Sequence, residues 1–273
     1  MYKVGLSSSA FSLDEATFKR LAESGIEATE LSMPLDAHLS LNHKEVLELS
    51  QRYGVKLWSY HLPFFPFKKI DISSLDPELR KNAIELYSTL IAKAADIGID
   101  KFVLHPSGEP IADEDREERI KYSMQNIDFL AELAHRHGAR IAVEDLPRSC
   151  IGSTVDELAR LVSVNDKLRV CFDTNHLLKD DPVDLVKTLG DRIITLHVSD
   201  YDFIDERHWL PGEGLNDWSG IYKSLCEVGY NGIWMYEVPL RSKTITRSRD
   251  LAFTDFYNNA HAIFEDKTPE RIY

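Results

Sequence analysis

The sequence predicts an α/β protein, a single (β/α)8 TIM barrel spanning residues 1–273. Three observations predict it. Eight short β-rich runs are each followed by a helical pattern, and strict alternation implies parallel strands with right-handed crossovers. The length of 273 residues suits a barrel of eight such units. The turn after the first run reads Leu6-Ser7-Ser8-Ser9-Ala10-Phe11. It lacks the glycine-rich phosphate turn that an open, doubly wound sheet would place there.

The elements follow in order. Lys3 to Leu6 is the first strand, with a helix from about Leu13 ending near Gly25. Ile26 to Met33 is the second, before a helix from about Asn42 to Tyr53. Val55 to Tyr60 is the third. Asp76-Pro77-Glu78 then opens a long helix to Ile97, with a capping carboxylate, proline at the first helical position and glycine after the end. Lys101 to Leu104 is the fourth strand, and Asp115 to His137 the helix that Gly138 stops. Four more strands are Arg140 to Val143, Leu168 to Phe172, Ile193 to Val198 and Gly232 to Tyr236. Helices begin near Thr154, Pro182 and Asp217, and a last one runs from about Asp250 to Phe264. No linker or repeat divides the chain.

Composition excludes several classes. Hydrophobic residues at 43% and charged residues at 28% describe a folded chain rather than a disordered one. A net charge of −13 argues against a nucleic-acid footprint and against a helix lying on anionic membrane. Cys150, Cys171 and Cys226 are odd in number and form no CxxC, which points to a reducing compartment. The start of the chain has no apolar leader segment, and no apolar stretch approaches 18 residues. A cytoplasmic protein is expected.

The informative feature is what ends the strands. Strand three ends in Tyr60-His61-Leu62-Pro63, strand four in Leu104-His105-Pro106, and strand five in Val143-Glu144-Asp145. Strand six ends in Phe172-Asp173-Thr174-Asn175-His176, strand seven in Leu196-His197-Val198, and strand eight in Tyr236-Glu237-Val238. A barrel brings all these ends to one face around one axis, where active sites lie. Carboxylates packed together repel unless a cation or protons compensate. A divalent metal is the simplest compensation. Carboxylates and imidazoles suit Mn²⁺, Zn²⁺, Co²⁺ or Mg²⁺. Glu144, Asp173, His197 and Glu237 can surround one ion. His176 can point at a substrate or a further metal, and His61 and His105 are substrate contacts or another metal pair. His208 either reaches the cavity or belongs to a loop ordered by Trp209 and Pro211.

At these residues the sequence resembles the xylose-isomerase-like barrel superfamily, which holds sugar isomerases and epimerases and the zinc-dependent endonuclease IV group. The resemblance runs from about residue 3 to 265 and rests on "VLHPSG", "VEDLP", "CFDTNH", "LHVSD", "HWLPGEG" and "YEVP" in that order. It implies that Glu144, Asp173, His197 and Glu237 match the metal ligands of ketose epimerases. It implies that Glu144 and Glu237 also match their acid/base pair, and His176 a substrate-oxygen contact. The implied activity is a metal-dependent sugar or sugar-phosphate isomerase or epimerase. It would work by proton transfer through a metal-bound cis-enediolate. Arg207 lies near the arginine with which ketose epimerases hold the distal part of the sugar.

Endonuclease IV uses a trinuclear zinc set on the same scaffold. His61, His105, His176, Glu206 and His208 match its additional ligands, with Glu206 in place of an aspartate. The continuation "EDLPR" after strand five and the lack of a basic, glycine-rich DNA-penetrating loop weigh against that activity. A lyase or dehydratase on a keto-sugar acid or keto-inositol would share the enolate step. The expected partner is therefore a small sugar or sugar derivative, not nucleic acid or membrane. The aromatics Trp58, Tyr60, Phe64, Phe65 and Phe67 crowd the third loop. They suit a sugar-binding wall, a lid, or a contact in a homodimer or homotetramer. Arg241, Lys243, Arg247 and Arg249 follow strand eight; they either bind a phosphate or carboxylate or pair with the chain's excess acids.

Overall fold

In the computed structural model, which describes residues 1–272, the strands are β1 (Lys3–Ser7), β2 (Ala28–Leu31), β3 (Lys56–His61), β4 (Lys101–Leu104), β5 (Arg140–Glu144), β6 (Arg169–Asp173), β7 (Ile193–His197) and β8 (Ile233–Tyr236). Their order is β7-β6-β5-β4-β3-β2-β1-β8, and every ladder is parallel. A parallel bridge between Val198 and Tyr236 joins the two ends. There the Val198 N–H donates to the Met235 carbonyl at 2.8 Å and the Glu237 N–H to the Val198 carbonyl at 3.2 Å. The expected barrel is present.

The helices are α1 (Glu15–Glu23), α2 (Leu35–Ser40), α3 (His43–Tyr53), α4 (Pro77–Ala95), α5 (Arg116–Arg136), α6 (Val155–Val162), α7 (Pro182–Leu189), α8 (Trp218–Glu227) and α9 (Phe253–Phe264). Local chemistry sets several starts. Asp76, Thr154, Asp181 and Asp217 each accept a first-turn N–H, and Pro77 and Pro182 sit at the first helical turn. The short α2 is not foreshadowed by the sequence. Of its six residues only His38 is buried, so there is no apolar stripe to reveal it. Among the described residues no helix is long and apolar enough to cross a membrane.

Between strands and helices lies a large apolar core, from Val4 and Leu6 through Phe102, Phe172 and Trp234. The barrel interior carries two smaller clusters. One comprises Ala28, Ile233 and Met235 with Trp58, the other Val103, Ala142 and Cys171 with Ile194. Trp58 Nε1 donates across the interior to Thr195 Oγ1 at 3.1 Å. Because side chains alternate with period two, the residue two positions further along each strand points inward as well. Beyond Ala28, Val103, Ala142, Cys171, Thr195 and Met235 come Glu30, His105, Glu144, Asp173, His197 and Glu237. A small or apolar plug is thus capped by a polar layer at the C-terminal mouth.

Two irregularities tune that layer. The β2–β3 register shifts so that Glu30 faces Ser59, and the β6–β7 register shifts so that Asp173 faces His197. Bulges of this kind re-aim side chains next to functional sites. Beneath them, a Cβ on Gly5 would stand 2.7 Å from Ile233 Cγ2 and 2.8 Å from Met235 Cε. Overpacking this plug is costly. Gly5→Val is expected to lower unfolding free energy by roughly 1–3 kcal/mol, read as a lower urea midpoint at unchanged slope.

Candidate active site

The centre of the polar layer is His197, fully buried on β7. Its Nδ1 lies 2.7 Å from Glu144 Oε1, 3.2 Å from Glu237 Oε2 and 3.8 Å from Asp173 Oδ2. One ligand-type atom from each of these four residues lies within 4.8 Å of all the others. The structure therefore brings together Glu144, Asp173, His197 and Glu237 from β5, β6, β7 and the end of β8. On the far side of Glu144, His61 Nε2 and His105 Nε2 approach Oε2 at 3.2 and 3.0 Å. His176, Glu206 and His208 form a second group, in which His176 Nε2 lies 3.3 Å from Glu206 Oε2 and 3.5 Å from Asp173 Oδ2.

The imidazoles are oriented from behind. His61, His176 and His208 each bring Nδ1 to a backbone carbonyl, those of Leu62, Asp145 and Glu237, at 2.9, 2.8 and 3.1 Å. A carbonyl only accepts, so Nδ1 carries the proton in each. Nε2 is left to face the other site groups. The loop between β7 and α8 is held as firmly. Asp200 accepts the N–H groups of Tyr201, Gly212, Gly214 and Asn216 and the Trp218 indole at 2.8–3.1 Å. Asn175 Oδ1 accepts the N–H groups of Arg207 and His208 at 2.8 and 3.3 Å. His208 has φ 51°, a left-handed conformation that among non-glycine residues is taken mainly by Asn, Asp and His.

Burial and charge compete throughout. Burial raises Glu144, yet the facing His197 and His105 hold its carboxyl well below the usual range. Burial, with the Glu144 charge beside it, pushes Asp173 up to about 6. Burial opposes charge on His197, but Cys171, Glu30, Glu237 and Glu144 hold it well above the ordinary imidazole value. His61, buried but facing Glu144 and Glu30, rises to about 9, while burial keeps His105 low. Glu206 falls to about 2 despite burial, chiefly through His176. Imidazolium protons and a divalent cation are alternative counter-charges for the same carboxylates. The fit to a cation rests on unsatisfied oxygens. Glu144 Oε2 and Asp173 Oδ2 are buried without a hydrogen-bond partner among the described residues, because the histidine approaches to them are off hydrogen-bond geometry. Three carboxylates and one imidazole nitrogen are a donor set for a divalent ion of the Mn²⁺, Zn²⁺ or Mg²⁺ type.

A cavity of about 180 Å³ opens above this layer, walled by His61, His105, Glu144, His176, His208 and Glu237 together with Phe64 and Arg148. It shares His61, Phe64 and Glu237 with a second pocket of about 560 Å³ running over Met33, Leu35 and Phe65. Phe64 stacks on His105 with centroids 4.1 Å apart. Arg148 bonds Asp205 and Glu206 at 2.8 and 3.0 Å and also grips Glu109.

Some expectations shift. Arg207 is not brought to the cavity wall; its guanidinium bonds Asp202 at 2.9 Å, and the arginine that does reach the wall is Arg148. Trp58 belongs to the barrel plug, and Tyr60 is fully buried against His38 at 2.8 Å, so of that aromatic group Phe64, Phe65 and Phe67 are the ones that line the two cavities at the C-terminal mouth. The arginines after β8 pair with acids. Arg247 makes a buried bidentate bond to Glu213 at 2.8 and 2.7 Å, Arg249 binds Asp255, and Arg241 lies 3.8 Å from Asp250. Sequence reasoning missed Glu30, fully buried at the end of β2 with His197 Nε2 at 3.0 and 3.2 Å. The sequence offers one weak signal for it, a lone carboxylate in the run Ala28-Thr29-Glu30-Leu31, which does not by itself separate a site residue from an ordinary polar interruption.

Comparison with known proteins agrees with this fold. A family model described as a xylose isomerase-like TIM barrel matches residues 18–255. An uncharacterized protein, MJ1311 of Methanocaldococcus jannaschii, is 27% identical over 85% of this chain and 82% of its own. A D-psicose 3-epimerase of Ruminiclostridium cellulolyticum is 24% identical over 90% and 86%. A probable endonuclease 4 of Thermoplasma acidophilum is 27% identical over 61% and 62%. The crystal structure of a D-tagatose 3-epimerase-like protein superposes with a TM-score of 0.83 at 23% identity, covering 97% of both chains; at that identity it shows the shared fold.

The crowding of acids has a measurable consequence. In chelator-treated protein at neutral pH, Asp173→Asn is expected to raise stability by roughly 0.5–2 kcal/mol, because it removes one of the carboxylates facing each other. Added Mn²⁺ should reverse the order of the two proteins in urea unfolding.

Proposed function

The chain belongs to the xylose isomerase-like TIM barrel family, and from that premise we propose a divalent-metal-dependent isomerase or epimerase acting on a sugar or sugar derivative, with residues 1–273 as one catalytic domain. One observation carries the proposal. Glu144 and Glu237, from β5 and the end of β8, converge on the same nitrogen of His197 at 2.7 and 3.2 Å, at the floor of a cavity of about 180 Å³ that shares walls with one of about 560 Å³.

Glu144, Asp173, His197 and Glu237 would hold the ion. When bound, it supplies polarisation of a carbonyl and its neighbouring hydroxyl, which acidifies the adjacent carbon. The chain's own residues do the rest. Glu144 stays anionic because imidazoles face both of its oxygens, and it accepts the proton. Glu237, partly exposed at the mouth, returns one. Return to the same carbon from the opposite side inverts the centre; return to the neighbouring carbon moves the carbonyl. His61, His105, His176 and His208 offer nitrogens to substrate oxygens, and Phe64 with Arg148 narrows the mouth against water.

A second reading has its own support. The groups His61–His105–Glu144 and His176–Glu206–His208 could hold further ions, as a phosphodiesterase of the endonuclease IV type would require. Against it, Phe64 closes over His105 and the cavity's Arg148 is already paired with Glu109, Asp205 and Glu206. A dehydratase on a keto-sugar acid or keto-inositol shares the first proton removal and differs in its product.

The deciding experiment is incubation with keto-sugars, sugar phosphates and cyclitols in D₂O with Mn²⁺, followed by mass spectrometry. Deuterium uptake at a carbon beside the carbonyl is expected, and Glu144→Gln and Glu237→Gln should each lower it by about 10²–10⁴-fold. Full exchange in either variant removes that residue as a base. Robust nicking of abasic-site DNA would favour the second reading instead.

A further inference from the structure

We infer that Glu30 is a positioning residue: it fixes the tautomer and aim of His197, so that Nδ1 presents its lone pair to the ion site formed with Glu144, Asp173 and Glu237. The inference rests on the metal-centred reading above and adds a residue to it.

Glu30 is fully buried, and a buried carboxylate is strongly disfavoured unless it is paired and hydrogen-bonded. Its compensation is specific. Oε1 accepts from Ser7 Oγ on β1 at 3.2 Å and Oε2 from Ser59 Oγ on β3 at 2.8 Å. Both oxygens lie against His197 Nε2, at 3.0 and 3.2 Å. The hydroxyls come from the two strands flanking β2, and the shifted β2–β3 register is what sets Ser59 opposite Glu30. An ionised carboxylate can only accept, so Nε2 carries a proton. Nδ1 is the nitrogen turned to Glu144, Glu237 and Asp173; in the imidazolium it donates to Glu144 Oε1 at 2.7 Å, and an ion in the site would take the place of that proton while Glu30 keeps the one on Nε2.

His197 differs from its neighbours in this respect. His61, His176 and His208 are tied at Nδ1 by backbone carbonyls. His197 is tied at Nε2, and by a charge. A carboxylate behind a ligating imidazole orients the ring, raises its basicity and adds negative potential favouring a dication. Glu30 walls neither of the cavities at the barrel mouth. It therefore acts through His197 and does not contact substrate.

The test is Glu30→Gln, which keeps the shape and removes the charge, measured with Mn²⁺ and Co²⁺ alone. Chelator competition should show about 10–100-fold weaker binding than wild type, and the Co²⁺ absorption bands should shift because the histidine donor has changed. The thermal midpoint of the chelator-treated variant should not fall. Wild-type affinity with an unchanged Co²⁺ spectrum overturns the inference and assigns Glu30 a purely structural part. Should this variant fail to fold, Ser59→Ala, which loosens Glu30 but leaves its charge, reads the same quantity; about tenfold weaker binding supports the inference and unchanged binding overturns it. Wild-type protein that binds neither ion overturns the metal-centred reading itself.

Discussion

Burying Glu30, Glu144 and Asp173 with His197 in one layer is the constraint on which the rest of the site depends. Like charges at such distances are tolerated only with counter-charge, and burial magnifies both the repulsion and the attraction that relieves it. The layer is therefore built as alternating acids and imidazoles. His197 stands between Glu30 on one side and Glu144, Asp173 and Glu237 on the other. Glu144 in turn stands between His197 and the pair His61 and His105. Asp173 and Glu144 still keep a buried oxygen without a hydrogen bond. Such residual frustration is typical of a centre shaped for a ligand rather than for stability.

Backbone geometry supplies the layer at little cost. A closed parallel barrel places every strand end at one mouth, and on six strands the pleat sets an acid or a histidine two positions beyond the last interior plug residue. Two register shifts complete the arrangement, facing Glu30 with Ser59 and Asp173 with His197. The loops then add a second tier. Asp200 and Asn175 gather the backbone of the loop that carries Glu206 and His208, and Arg148 ties it to Glu109 across the cavity. The strand ends thus carry the set that would ligate an ion, and the tied loops carry the groups that would meet the variable end of a substrate.

The proposed proton transfer draws on both tiers. An anionic Glu144 and a more exposed Glu237 have different environments around one centre, the usual condition for two carboxyls to take different roles. The small cavity and its larger neighbour share Glu237 and His61, so a substrate can place its reacting carbon over the layer and its remainder over Phe64 and Phe65.

Much of this was legible in the amino-acid order. Alternating strands and helices dictated the barrel, since parallel strands of this length need helical crossovers. His61, His105, Glu144, Asp173, His197 and Glu237 stood out because each ends an apolar run, and the barrel axis brings such ends together. By itself, then, the sequence determined the fold class and the candidate ligands. Other features were invisible because they depend on distances between residues far apart in the chain. Arg207 and Arg148 both sit in polar loops, yet only the folded loops show that Asp202 holds the first while the second reaches the cavity wall. Glu30 lies 167 positions from His197, in a short strand where one carboxylate reads as an ordinary polar interruption. Only the tertiary structure decided that it stands behind the ring of His197, because barrel closure and the β3 bulge, not local sequence, set that contact.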